Sequence, residues 1–227
     1  MNRVSKFAAI ALAAVTTSAA SATVVVTNTT QNNVFSVSST DLLQTSLGSA
    51  ISTGNFSREG EQGLSALIDG GFGALGSFVS GNTTLGAATA DGSNSITYTL
   101  NGAFNLTSIN SYAGWDAFRG GQSYTVSLAY TGAPATFIPL ATVFNNATGG
   151  GNINTMANIT RSSGYLGAGV VAVKFDFASN LQFGYAGYRE LDVTGSAVPE
   201  PTTWLMLVLG LGLVGVSARR RTAAVAS

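Results

Sequence analysis

The side chains that most often carry catalysis are missing from this sequence. The chain has no histidine and no cysteine, which excludes a Ser-His or Cys-His dyad and a histidine-ligated zinc ion. Paired carboxylates of the glycosidase type remain possible, and Glu59 and Glu61 are candidates by proximity. Two loop carboxylates beside Arg58 are more simply interpreted as a solvated charged patch. We therefore expect no enzymatic activity.

A second group of residues could bind a ligand without transforming it. In the stretch GWDAFRGGQ, Trp115 could stack on a sugar ring while Asp116 and Arg119 hydrogen-bond its hydroxyl groups. The alternative is that Asp116 and Arg119 brace a turn and Trp115 packs in the core. Tyr185 and Tyr188 in FGYAGY pose the same choice, because a partly exposed tyrosine offers a sugar both an apolar ring and a hydroxyl group.

The composition favours an exported β-protein and gives no sign of a nucleic-acid partner. Only 9% of the 227 residues are charged, against roughly 25% in typical soluble domains. Between Thr23 and Val198 five basic and nine acidic residues give a net charge of −4, which provides no attraction for nucleic acid. Without cysteine no disulfide can form, so stability must come from core packing and any bound ion.

The first 22 residues predict a secretory signal peptide. Arg3 and Lys6 supply a positive start, residues 7–15 are apolar, and Ala20 and Ala22 form a small-residue cleavage site. The apolar stretch is too short to be a permanent membrane span. We therefore expect cleavage after residue 22 and export of the remainder.

The C-terminal region combines an apolar run with a basic cluster. Residues 202–218 carry no charge and as a helix reach about 25 Å, the short end of what spans a bilayer. Arg219, Arg220 and Arg221 stay outside the hydrocarbon, because an arginine at mid-membrane costs about 2.5–3.5 kcal/mol. The positive-inside tendency places these arginines in the cytoplasm and the preceding domain outside. A plain membrane anchor is one interpretation of the segment.

The order of these parts also resembles a PEP-CTERM sorting signal. Pro199, Glu200 and Pro201 precede the apolar run, which contains several glycines, and the arginine cluster follows near the chain end. The resemblance implies export in a Gram-negative bacterium that makes extracellular polysaccharide. It also implies recognition by an exosortase and processing near the Pro-Glu-Pro motif. The helix is then a temporary inner-membrane anchor, and the mature form belongs at the cell surface or in the extracellular matrix.

Residues 23–195 predict one all-β domain. Apolar and polar residues alternate in SITYTL, SYTVSLAY, GVVAVKFDF and YRELDVTG, which indicates antiparallel strands with one buried and one solvated face. In the last stretch, Glu190 and Asp192 are expected on the solvated face. Clusters such as Asn101-Gly102 predict turns, and only REGEQGLSALIDG predicts a short helix. Several strands without a long helix favour an antiparallel β-sandwich.

Three segments of this domain are similar to discoidin-like domains, the coagulation-factor type C group. From about Leu67 to Gly195, they are SALIDGGFG, SITYTLNGAFNLTSINSYAGWDAFRGGQSYTVSLA and GYRELDVTG. The resemblance implies a galactose-binding-like jelly roll. It further implies one structural Ca²⁺ between the early Asp-Gly loop and the final strand, with Asp69 and Glu190 as ligands beside carbonyls near Leu67. The alternative for Asp69 is that it only stabilises its own turn.

These patterns predict an exported, non-enzymatic protein that contacts polysaccharide of the biofilm matrix through loops at one end of a jelly roll. A structural surface or matrix protein without a specific ligand is the alternative, followed by a glycan-active enzyme. The expected partners are an exosortase, an extracellular polysaccharide and, through the helix, the inner membrane. The predicted parts are a signal peptide (1–22), a β-sandwich (23–195), a linker (196–201), a transmembrane helix (202–218) and a basic tail (219–227).

Overall fold

The computed structural model is built mainly from β-strands. It describes residues 22–54, 56–57, 63–73, 86–88, 94–114, 119–147, 153–178, 186–199, 205–211 and 213. The strands within these ranges are β1 (Val24–Gln31), β2 (Leu47–Thr53), β3 (Phe56–Ser57), β4 (Gly86–Ala88), β5 (Asn94–Gly114), β6 (Gln122–Tyr130), β7 (Ala133–Asn145), β8 (Asn154–Arg161), β9 (Gly167–Phe177) and β10 (Ala186–Ala197). The short helices are α1 (Leu42–Thr45) and a 3₁₀ helix (Gly63–Ile68), the latter within the segment predicted to be helical.

The long strand β5 changes neighbours near its middle. Residues 95–100 pair with β2, whereas residues 104–113 pair with β10 and residues 109–114 with β8. Strand β9 pairs with residues 94–99 and again with Phe104 and Leu106. Between these halves lies Gly102, whose φ of 123° is open to glycine and strained for other residues. The turn predicted at Asn101-Gly102 is therefore wrong: one strand continues through a bend, at which the pairing with β2 ends and the pairing with β10 begins.

The strand pairs define two antiparallel sheets that share β5. One sheet has the order β2-β5-β9-β6-β7 and the other β3-β4-β10-β5-β8-β1. Aromatic rings from the two sheets meet between them. The ring of Tyr188 in β10 lies 6.1 Å from that of Tyr124 in β6 and 4.7 Å from that of Phe177 in β9. The fold is the antiparallel β-sandwich that the alternation predicted.

The core between the sheets follows the alternation closely. Ile96, Tyr98 and Leu100 of β5 are buried, and so are Val126 and Leu128 of β6. Burying one such aliphatic side chain contributes roughly 1.5–3 kcal/mol. Because no disulfide is available, this packing carries the fold.

One end of the sandwich, the bend end, holds the bend in β5 and both ends of the domain. At the N-terminal side, Thr23 and Ser162 form two hydrogen bonds of 3.0 Å: the amide of Thr23 donates to the Ser162 hydroxyl, and the amide of Ser162 donates to the Thr23 carbonyl. At the C-terminal side, the amide of Val198 donates to the carbonyl of Ala103 at 2.8 Å. The predicted signal peptide and the Pro-Glu-Pro motif are therefore joined to the same end.

The opposite end, the loop end, is where β5 finishes at Gly114 and β10 begins at Ala186. The connections 115–118, 148–152 and 179–185 join strands at this end and lie outside the described residues.

Among the residues that the structure describes, no helix has the length and apolar composition needed to cross a membrane. Residues 205–211 and 213 are helical, with exposed apolar side chains such as Leu205 and Leu213. The remainder of the predicted span 202–218 lies outside the described residues. That span stays a prediction, as does the signal peptide, whose residues 1–21 are likewise outside.

Candidate functional site

Three buried carboxyl groups meet on the side of β10 that faces away from the sandwich core. Asp41, Glu190 and Asp192 are 5%, 0% and 1% exposed. Each offers one carboxylate oxygen, and these oxygens lie within 4.8 Å of one another. One oxygen of each residue (Asp41 Oδ2, Glu190 Oε2 and Asp192 Oδ1) is buried without a hydrogen-bond partner. We call these three residues the acid cluster.

Asp41 enters the cluster as the N-cap of α1. Its Oδ1 accepts hydrogen bonds from the amide of Leu43 at 2.8 Å and from the amide of Val193 at 3.2 Å. The first bond satisfies a free helix-end amide, as N-cap aspartates commonly do. The second ties α1 to β10, so a single carboxyl group fixes the helix against the final strand.

Glu190 and Asp192 lie two residues apart on β10 and therefore share a face. Glu190 Oε1 accepts from the Gln44 side-chain amide at 2.9 Å and from the amide of Gly70 at 3.1 Å. Asp192 Oδ2 accepts from the amide of Ser38 and from the hydroxyl of Tyr112, both at 3.1 Å. The alternation assigned the face correctly, but the expectation that it is solvated is wrong, because α1 and the 3₁₀ helix pack over it.

Burial makes the charged forms of these carboxyl groups costly. Burial and, to a smaller extent, the nearby Asp192, Asp69 and Asp41 carboxyl groups raise the pKa of Glu190 to about 9, although the hydrogen bond from Gly70 lowers it. Burial also raises the pKa of Asp192 to about 6 and moves the pKa of Asp41 upward. Three carboxylates this close together can all be charged only beside a cation.

The ligand atoms of the acid cluster fit a hard cation such as Ca²⁺. They are all oxygens, and Ca²⁺ takes about six to eight oxygen ligands in irregular geometry. Beside the three unpartnered carboxylate oxygens, the side-chain oxygen of Gln44 is also buried without a partner. Four orphaned buried acceptors in one place are unusual in a folded protein, and a bound cation would satisfy them together.

The sequence-predicted pair Asp69 and Glu190 is only partly reproduced. Glu190 is in the cluster, and the Asp-Gly loop lies against it through the amide of Gly70. Asp69 itself is exposed, and its Oδ1 accepts from the amide of Gly71 at 2.9 Å, the local turn that was the alternative for this residue. Asp41 and Asp192 were missed. The Asp41-x-x-Gln44 spacing, typical of a helix N-terminus, was the available signal for α1.

The predicted sugar-binding residues divide into three groups. Tyr188 is only 1% exposed, and its hydroxyl bonds to the backbone amide and carbonyl of Ser123. Its assignment to a ligand surface is therefore wrong, because the ring belongs to the core. Arg119 is half-buried at the loop end, where its carbonyl accepts from the amide of Gly187 at 2.8 Å. The third group lies outside the described residues: Trp115, Asp116 and Tyr185.

Arg189 is a buried charge that the sequence did not single out. Its side chain is 0% exposed, its Nε donates to the carbonyl of Gly114 at 2.5 Å, and its guanidinium lies 5.4 Å from the ring centre of Phe72. Burial lowers its pKa to about 10. Arg189 therefore joins β5, β10 and the segment after the Asp-Gly loop next to the loop end.

An apolar cavity of about 210 Å³ lies between β2, β5 and the 3₁₀ helix. Its lining is mainly apolar, and the polar side chains among the lining residues are two serines and one tyrosine. Its lining residues are Ala50, Ser52, Leu64, Ser65, Ile68, Ile96 and Tyr98.

The C-terminal region matches a known family model. Residues 197–221 match the PEP-CTERM protein-sorting motif, which confirms the resemblance drawn from Pro199, Glu200 and Pro201. A motif of this class implies export and processing by an exosortase. Pro199 is exposed, whereas Glu200, Pro201 and the arginines 219–221 lie outside the described residues. No curated protein matches the sequence.

Several solved structures resemble the β-sandwich. The CBM32-5 module of CpGH89 from Clostridium perfringens, in complex with GalNAc-β-1,3-galactose, is 18% identical, with a TM-score of 0.44 over 64% of this chain and 94% of that chain. The family 32 module of NanJ from the same organism, in complex with galactose, is 16% identical, with a TM-score of 0.42 over 63% and 92%. The CBM32 of AlyQ, in complex with 4,5-unsaturated mannuronic acid, is 11% identical, with a TM-score of 0.40 over 65% and 94%.

Proposed function

We propose that this chain is an exported, non-enzymatic binding protein whose loop end contacts extracellular polysaccharide, such as that of a biofilm matrix. The observation that supports this proposal is the placement of the domain's two ends. Thr23 and Val198 both lie at the bend end, so the signal peptide and the sorting signal attach there. A membrane-bound precursor would then direct its loop end away from the membrane, toward the polysaccharide outside the cell.

The residues with the chemistry for sugar binding are joined to the chain at the loop end. Residues 115–118, with Trp115 and Asp116, connect Gly114 to Arg119, and Tyr185 directly precedes β10. An aromatic ring can stack on the apolar face of a sugar while charged groups hydrogen-bond its hydroxyls. The discoidin-like resemblance implies the same ligand class.

A glycan array tests this proposal with a matched pair of aromatic substitutions. Trp115→Ala is expected to weaken binding at least about tenfold, because losing a central aromatic anchor costs more than 1.4 kcal/mol. Tyr165→Ala is the control, since Tyr165 is 47% exposed but hydrogen-bonds through its carbonyl to Arg161 near the bend end. Loss of binding in the control alone would contradict the assignment to the loop end. An array without any bound glycan would favour the structural matrix protein.

We further propose that the acid cluster binds one structural Ca²⁺. The buried, unpartnered oxygens of Asp41, Glu190 and Asp192 support this proposal. Such an ion would fix α1 and the Asp-Gly loop against β10, and would stabilise the fold by about 2.7 kcal/mol at a Ca²⁺ concentration one hundred times its Kd. The role is structural, because the cluster is buried.

Calorimetric titration with Ca²⁺ and thermal unfolding with and without chelator test the ion. We expect binding heat and a higher Tm in Ca²⁺ for the wild-type protein. For Asp192→Asn the Ca²⁺ effect should disappear, while the chelated protein should unfold at a higher temperature, because one buried carboxyl group has been removed. Asp176→Asn is the control, since Asp176 is half-exposed on β9, away from the acid cluster, and pairs with Lys174. A wild-type protein with neither heat nor a Tm shift would exclude the site.

A further inference from the structure

The final strand runs into the sorting signal without a spacer. The match to the sorting motif begins at Ala197, which is also the last residue of β10. The next residue, Val198, still donates its amide to the carbonyl of Ala103. Pro199 has no amide hydrogen, so the ladder cannot continue through it. The sequence itself thus sets the boundary between sheet and signal at one peptide bond.

The last part of β10, residues 194–197, is held mainly by its backbone. Gly195, Ser196 and Ala197 pair with Leu106, Asn105 and Phe104 of β5. The side chains of residues 194, 196 and 197 are exposed, whereas residues 186–193 are all buried. Segments with few buried apolar contacts open at a lower free energy than the rest of the fold. We call residues 194–198 the terminal zip.

Only a short length of chain separates the domain from the predicted membrane helix. From Val198 to the start of the predicted helix at residue 202, an extended chain spans at most about 14 Å. Both ends of the domain leave from the bend end, so this end faces the membrane in the precursor. An enzyme that binds the residues immediately N-terminal to Pro199 must therefore bind residues that belong to the folded sheet.

We propose that the exosortase processes this chain only after the terminal zip has separated from β5, so that the folded domain itself limits the processing rate. An enzyme that binds an extended segment commonly uses the backbone amides and carbonyls of that segment. In the terminal zip, the amide of Val198 and the backbone of residues 195–197 are engaged with β5. When opening and closing are fast, the rate of proteolysis follows the population of the open form.

A reversible disulfide across the terminal zip tests the proposal. Asn105 and Ser196 are direct ladder partners, and the chain has no other cysteine, so Asn105→Cys with Ser196→Cys forms one defined bond. The full-length precursor is incubated with exosortase-containing membranes, and conversion is followed by intact mass. In the oxidised variant, processing is expected to slow by about tenfold or more, because the disulfide prevents the opening of the terminal zip. Dithiothreitol reduces the disulfide and should restore the processing rate.

The matched control places the same bond far from the motif. Thr125 of β6 and Thr142 of β7 are ladder partners whose hydroxyl oxygens lie 3.1 Å apart. Thr125→Cys with Thr142→Cys should be processed at the same rate whether oxidised or reduced. Both precursors are oxidised and purified before the membranes are added, so an equal loss of rate in this control would contradict a requirement for opening at the terminal zip.

A linker insertion tests the proposal in the opposite direction and needs no disulfide. Six Gly/Ser residues between Val198 and Pro199 leave the ladder intact and supply accessible chain, so processing should become several-fold faster. The control inserts the same residues after Gly132, in the turn between β6 and β7, where space is open. The proposal is overturned if the oxidised Asn105–Ser196 pair is processed at the wild-type rate, or if the insertion before Pro199 leaves the rate unchanged. Either result would mean that the enzyme reads the motif with the strand in place.

Discussion

The two halves of β10 differ sharply although they form one strand. The first eight residues, Ala186 to Val193, are buried on both faces, and they include the charged residues Arg189, Glu190 and Asp192. The last four, beginning at Thr194, are mostly exposed and uncharged. Both halves pair with β5, so hydrogen bonding does not distinguish them. The difference comes from what covers the outer face.

The first half is covered because two short helices pack over it. The N-cap residue Asp41 ties α1 to Val193, and the loop after the 3₁₀ helix reaches Glu190 through Gly70. Beyond residue 193 the side chains of Thr194, Ser196 and Ala197 are exposed. One strand can therefore anchor the fold and its candidate ion site at one half while leaving the other half free to open.

The largest expected effect comes from emptying the core under the first half. Leu191 is 0% exposed and belongs to the core cluster. Leu191→Ala should lower the free energy of unfolding by about 2–5 kcal/mol, from lost burial and the cavity left behind. Urea unfolding at fixed Ca²⁺ measures the change. A loss below about 1 kcal/mol would show that this half is less tightly packed than the sandwich requires.

The second prediction concerns the pH dependence of the chelated protein. The folded-state pKa of Glu190, about 9, and that of Asp192, about 6, lie above the ordinary carboxyl values of 4.5 and 3.8. Between these limits the folded state binds more protons than the unfolded state, so stability falls as the pH rises. With chelator, the free energy of unfolding should therefore decrease from pH 5 to pH 9.

Two substitutions assign this slope to the acid cluster. Glu190→Gln should make it less steep and leave the contribution of Asp192, because the amide oxygen can still accept from Gly70 but this side chain no longer loses a proton. Asp176→Asn, at a half-exposed carboxylate on β9 outside the acid cluster, is the matched control. Chelated wild-type protein whose stability rises with pH over the same range would contradict the buried, cation-free carboxyl groups described for the first half.

The sequence predicted which residues share each face of β10, but it did not predict that helices pack over the outer face. Period-two alternation follows from strand geometry, so it placed Glu190 and Asp192 correctly on the side opposite Leu191. It could not show that α1 lies there, because the bond from Val193 to Asp41 joins residues 152 positions apart. Contacts at that separation are set by tertiary packing and leave no trace in local pattern.

The bend in β5 is a second feature that local sequence patterns could not predict. Asn101-Gly102 is a strong local turn signal, and the positive φ of Gly102 agrees with it. Whether such a glycine closes a hairpin or bends one strand depends on the partners of the flanking residues, here β2 before the glycine and β10 after it. The sandwich class was predictable from the alternation, whereas this exchange of sheets was not.

A smaller effect is expected where the second half approaches β5 most closely. A Cβ on Gly195 would lie 2.6 Å from the carbonyl oxygen of Asn105, so Gly195→Ala forces the strand end to shift. Because the segment is already exposed, the global cost should be limited to about 1 kcal/mol. Processing of the precursor should become faster, since the open form of the terminal zip is favoured. A slower rate would contradict the opening step.

The smallest effect is expected at Ser196, one residue further along. Its side chain is exposed, so Ser196→Ala should change the free energy of unfolding by no more than about 0.5 kcal/mol. The same substitution should leave the Ca²⁺ effect and the pH slope intact, because the two acid-cluster residues on β10, Glu190 and Asp192, lie in its first half. Hydrogen exchange then separates the halves directly: the amide of Val198 should exchange through local opening, and that of Val193 only through global unfolding. Equal protection of the two amides would show that the strand opens as one unit, and the division between anchored and opening halves would not hold.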